Sequence, residues 1–94
     1  MNKKEAKEII KHQLEPYRGK PYSELIKMIN AEPITYEHIG LSGSLYQIEI
    51  QAFWDDKANS NVRVMGSIDD GGWRAFSPLS DDFIKNPKDE FIGE

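Results

Sequence analysis

The chain has 94 residues, 38% of them hydrophobic, with two Trp, four Tyr, four Phe and no Cys, and a formal net charge of −4. That length is near the lower end of what one hydrophobic core stabilises, so it predicts a single domain over 1–94. Without Cys there are no disulfides and no thiolate metal sites, which fits a reducing, cytoplasmic setting.

The charge is unevenly spread. Residues 1–20 carry six basic and three acidic side chains, a net +3, while the remainder carries six basic and thirteen acidic, a net −7. An acidic body lacks the concentrated basic footprint of a nucleic-acid binder. The basic start is followed by no apolar h-region, and no apolar run reaches the length of a membrane span. These readings predict a soluble protein with no nucleic-acid or membrane partner, its basic helix a solvated face beside an acidic sheet.

In chain order, residues 3–15 read as a helix with Ala6, Ile9, Ile10, Gln13 and Leu14 on one side, ended by Pro16. After the connector Tyr17 to Pro21, a second helix runs from an N-cap at Ser23 through Leu25, Ile26, Met28 and Ile29 to Asn30. Neither helix is stable alone, so both must lie on a sheet. The first strand is Ile34 to Ile39, followed by the turn Gly40 to Ser44.

Leu45 to Trp54 is the second strand. Tyr46, Ile48, Ile50, Ala52 and Trp54 point one way, and Gln47, Glu49, Gln51 and Phe53 the other. A loop over 55–60 leads to a third strand with Val62, Val64, Gly66 and Ile68 on one side and Arg63, Met65, Ser67 and Asp69 on the other. Asp70-Gly71 or Gly71-Gly72 reads as a two-residue hairpin loop, and either choice gives the same parity. Parity then places Trp73 and Ala75 of a fourth strand on the Ile68 face, and Arg74 and Phe76 on the opposite face. Pro78 stops that strand, Ser80 caps a short helical turn to Lys85, and Phe91 and Ile92 form a small final strand or clasp.

The expected fold is α+β, with two N-terminal helices packed on one face of an antiparallel meander of about four strands. Its core holds Ile9, Ile10, Leu14, Leu25, Ile26, Ile29, Tyr46, Ile48, Ile50, Val62, Val64, Ile68 and Trp73.

No motif carries catalytic, nucleotide or metal chemistry, and no cofactor is expected. The acid pairs Asp55-Asp56, Asp69-Asp70 and Asp81-Asp82 point to opposite faces when on a strand, and turn chemistry accounts for them. The loop from Asp55 to Asn61 has Lys57 at an alternate ligand position and lacks the Gly and distal Glu of a calcium loop. His12 and His38 have no Ser, Cys or second His at catalytic spacing, and read as surface or partly packed side chains.

The second sheet face collects Phe53, Arg63, Met65, Arg74 and Phe76, the residue types enriched where proteins bind one another. Two plainer readings compete. In one, the tail residues Phe83, Phe91 and Ile92 fold over this face and close a second small core. In the other, Asp69 and Arg74 are a cross-strand ion pair worth under about 1 kcal/mol.

The run Gly66 to Phe76, followed by Ser77 to Ile84, resembles the C-terminal half of a group of small bacterial proteins, a domain of unknown function. The resemblance covers the last third of the chain and implies a small stand-alone bacterial domain; it brings no catalytic residue. The chain departs from that pattern at Asn86-Pro87-Lys88-Asp89, where a Pro-Asp-Gly turn is expected.

The preferred expectation is a non-enzymatic protein-interaction module working through the outer face or by self-association, with inhibition of a basic toxin or nuclease as its most specific form. The rival is a small-ligand binder or minor enzyme with Trp54, Tyr46, His38 and Glu37 lining a pocket between helices and sheet. A third is a homo-oligomer built by pairing edge strands.

Overall fold

The computed structural model describes residues 1–71 and 78–94. The expected fourth strand, with Trp73, Arg74, Ala75 and Phe76, lies outside the described residues. The elements are α1 (Lys3–Arg18), α2 (Tyr22–Leu25) running into a 3-10 turn (Ile26–Met28), β1 (Ile34–Ile39), β2 (Leu45–Trp54), β3 (Val62–Asp69), β4 (Leu79–Lys85) and β5 (Phe91–Ile92). The fold is α+β, with the strands in one antiparallel sheet of order β1-β2-β3-β4-β5.

Among the described residues the sheet has five strands rather than four, and the strand that pairs with β3 is 79–85. The helical turn expected from Ser80 to Lys85 is therefore a strand. Its acid pair resembles a helix start, yet its alternation wins: Phe83 faces Val64 and Lys85 faces Val62, and both are buried. A charged residue in a buried slot hides that alternation from a hydrophobicity reading. Lys85 is tolerated there because its Nζ donates to the carbonyls of Arg18 (3.2 Å), the last residue of α1, and Lys20 (2.8 Å), in the connector just past the cap Gly19.

The same contact carries α1 past its expected end. Pro16 lies inside the helix, which runs on to Arg18, because tertiary partners hold its last carbonyls. At its start Asn2 accepts from the Glu5 N–H at 3.0 Å. The second helix departs further from expectation: it is one α turn followed by a 3-10 turn, and Ser23 lies inside it rather than capping it. The N–H of Tyr22 is instead taken by Asp89 Oδ1 at 2.5 Å, from a turn sixty-seven residues away.

The core lies between the helices and one sheet face. Ile10, Leu14, Leu25, Tyr46, Ile48, Ile50, Val62, Val64 and Ile68 are buried as the alternation predicts, joined by Ala6, Ala52 and Phe83; Ile9, Ile26 and Ile29 only flank it. The helix approaches β3 closely at Gly66. A Cβ there would stand 2.7 Å from Ile10 Cδ1 and 3.1 Å from Ile50 Cδ1, so these two buried side chains would have to shift to admit it.

Gly66→Ala is expected to cost about 1–3 kcal/mol in denaturant unfolding. Shortening Ile10 to Val should recover part of that loss, so the double variant is less destabilised than the two single losses together. Additive losses would show that the approach of α1 to Gly66 is not tight.

Candidate functional site

Two surfaces have the make-up of a site. The first is the outer sheet face, opposite α1. In register, Phe53 lies beside Arg63, Arg63 beside Ile84, and Ile84 beside Ile92, so one row crosses four strands. Gln51, Met65 and Asp82 form the next row. Phe53, Met65 and Ile84 are half-buried and Ile92 is exposed.

Of the five expected contact residues, Phe53, Arg63 and Met65 are thus together, while Arg74 and Phe76 lie outside the described residues. Ile84 was missed as a contact residue because its segment reads as a helical turn; Ile92, expected in a small final strand or clasp, is in the strand β5 but was not counted among the contact residues. The tail does not fold over this face: β5 extends the sheet at its edge. Phe83 and Phe91 meet edge to face at 5.9 Å, and the Arg18 guanidinium stacks on both rings, 4.3 Å from the Phe91 centroid. Arg18 also pairs with Glu94, which raises its proton affinity and lowers that of the carboxylate.

Arg63 is not a free recognition group. Its Nε and Nη2 donate to Asp55 Oδ1 at 3.0 and 2.7 Å, and its Nη1 pairs with Asp82. The bonds to Asp55, ahead of the charge of Asp82, push the guanidinium pKa up. The side chain closes the loop over 55–61 onto β3 while its stem extends the apolar row. Asp55 and Asp82, two of the paired acids, are ion-pair partners here. Asp69 accepts from the Gly71 N–H, the turn chemistry its pair predicts.

The second surface is a groove of about 470 Å³ between α1 and the β1–β2 hairpin, lined by Glu5, Glu8, Ile9, His12, Gln13, His38 and Ile39, with Gly40 and Leu41 at its lip. It brings together the two histidines, which nothing in their spacing links. The pocket expected from Trp54, Tyr46, His38 and Glu37 does not form: Tyr46 and Trp54 lie at opposite ends of β2, and Glu37 alternates to the outer face beside Gln47.

Glu5 lines the groove beside Gly40. Its Oε1 accepts from Ser42 Oγ and the Tyr46 hydroxyl, both at 2.7 Å, and its Oε2 from the Ser42 N–H at 3.0 Å. Gly40 makes the room, since a Cβ there would stand 2.6 Å from Oε1. The hydrogen bonds from Ser42, then that from Tyr46, hold the carboxyl below its ordinary pKa. Burial and then the bond to Glu5 push the Tyr46 phenol up. A carboxylate with three donors and a lowered pKa is a poor general base. Among the described residues, no three His, Asp or Glu side chains group to hold a metal, and no helix is long and apolar enough to cross a membrane.

No family model, no curated protein and no solved structure matches this chain.

Glu5 links stability to pH. Because its folded pKa lies below the unfolded value of 4.5, its contribution is complete above that value and is lost as pH falls through the folded pKa. The gap in unfolding free energy between wild type and Glu5→Gln should stay constant above about pH 5.5 and close below it. A gap unchanged down to about pH 3 would contradict the tether.

Proposed function

We propose that the chain is a non-enzymatic, cytoplasmic protein-interaction module that docks its partner on the outer sheet face. The observation that carries this reading is the row Phe53, Arg63, Ile84 and Ile92 with Met65 alongside, apolar side chains on the face away from α1. An aromatic, a methionine and two isoleucines around an arginine stem suit the centre of an interface. The surroundings of the row, Asp55, Asp82 and Glu49, are acidic, and the chain carries a net −4. A partner with an apolar anchor and basic flanks fits both features.

Phe53→Glu combined with Met65→Glu is the direct test, because neither residue is fully buried. The variant should melt within a few degrees of wild type and lose a partner whose cross-links map to Phe53, Met65 and Ile84 on the wild-type chain. Undiminished capture by the folded variant, or cross-links confined to another surface, would overturn the reading.

The groove supports a second reading, a small-ligand-binding protein or minor enzyme. The observation favouring it is that both histidines line the same opening. A ligand that raises the melting temperature of wild type, and not of a His12→Ala, His38→Ala variant, would support it.

A further inference from the structure

The two edges of the sheet differ. The β5 edge is two residues long and ends at Gly93, and such short edge strands resist pairing with other chains. The β1 edge is six residues long, with no proline, lysine or bulge inside it, and among the described residues only β2 pairs with it. It also gathers exposed apolar side chains: Ile34 is 40% exposed, Ile39 69%, and Leu41 at the hairpin tip is completely exposed.

We propose that this edge pairs antiparallel with β1 of a second copy, about a two-fold axis through Tyr36 and perpendicular to the sheet. Such an axis keeps each face on its own side, so opposed residues must share a face and the axis must pass through a residue. Centring on Glu37 sets two carboxylates against each other, and centring on Thr35 pairs only three strand residues. Centring on Tyr36 pairs five, with Ile34 opposite His38 and Thr35 opposite Glu37, and no like charges meet.

The antiparallel register sets Pro33 opposite Ile39 and brings the hairpin end of one copy, where Leu41 stands in the turn from Gly40 to Gly43, beside the start of β1 in the other, where Ala31 closes the turn from Met28. Ala31 is where the edge offers a hole. A groove of about 370 Å³ is lined there by Tyr17, Met28, Ala31 and Ile34, with Lys20, Glu24 and Lys27 at its rim. Each exposed Leu41 therefore arrives at the level of the other copy's groove, twice by symmetry. Five paired residues alone are narrow beside the roughly 1,200 Å² of a stable interface, and the two leucine contacts widen it. The contact is self-complementary, as a two-fold interface requires. The resulting sheet carries both outer faces on one side, so a dimer presents two docking rows to one partner surface. The inference concerns the edge rather than the face and does not depend on the outer-face reading.

The test uses the whole chain. Light scattering across concentrations up to about 1 mM should give a dimer mass that dissociates on dilution. Leu41→Glu, at a position open to solvent, should weaken the dimer about 100-fold or more through two lost contacts, without lowering the melting temperature. The absence of native cysteine allows a register test. In the Thr35→Cys, Glu37→Cys variant, opposed Cα atoms about 5 Å apart across the axis suit a disulfide. Within one chain the two Cβ atoms, about 6.6 Å apart on one face of the strand, lie well beyond the roughly 4 Å that a disulfide spans. Mild oxidation should give a covalent dimer with the double variant and not with Thr35→Cys alone. A monomer at every concentration with no cross-link overturns the proposal. So does a dimer indifferent to Leu41→Glu, or one that Thr35→Cys alone cross-links.

Discussion

The close seating of α1 on β3 at Gly66 is the contact on which the rest of this structure depends. It brings the Ile10 side chain down onto Gly66 beside Ile50, and the sixteen-residue helix can then serve as the main cover of the inner face. Each end of the helix is fixed by a side chain. At the N-terminal end Glu5 reaches the β1–β2 hairpin, and at the C-terminal end Lys85 reaches up from β4 to the last carbonyls. Both ties join residues distant in sequence, which is what a small core needs when local helix propensity alone stabilises little.

A fold with its helices on one side has a consequence for function. The inner face is filled and its buried polar groups are partnered, and none of the described buried side-chain nitrogens or oxygens lacks a hydrogen bond. What is left for recognition is the outer face, the edges and the helix-side grooves. On the outer face the middle rows are polar, with Gln47, Glu49, Ser67 and Ser80, and large apolar side chains gather at two corners. One corner is the row from Phe53 to Ile92; the other is the Ile39–Leu45 pair beside the hairpin tip. Neither corner is packed against the core, which is why the proposed docking is placed on the first of them and the proposed self-pairing beside the second.

The three long strands were legible in the sequence because they alternate and their connections are marked by Pro33, by Gly40 and Gly43, by the polar run over 55–61 and by Gly71. The faces of Tyr46, Ile48, Ile50, Val62, Val64 and Ile68 follow from that parity alone. β4 was not legible. Its inward positions are Leu79, Asp81, Phe83 and Lys85, and a pattern with two charges on the core side does not read as a strand. The acceptors that make Lys85 tolerable come from the end of α1, a contact no local window contains. The same holds for the cap of Tyr22 by Asp89. Three of the expected face residues stand together as parity requires, but Arg63 has an ion-pair role set by Asp55 and Asp82. Those partners are eight and nineteen residues away, too far for its own strand to reveal.

The central claim is that the outer face is occupied when the protein works. Hydroxyl-radical footprinting of Met65, compared between the purified chain and the chain in its native cell, measures that occupancy, with the half-buried Tyr22 on the helix side as reference. The account predicts that Met65 and Phe53 are oxidised readily in the purified chain and protected in the cell, while Tyr22 changes little. Equal labelling of Met65 in both settings, or protection already present in the isolated monomer, would contradict it.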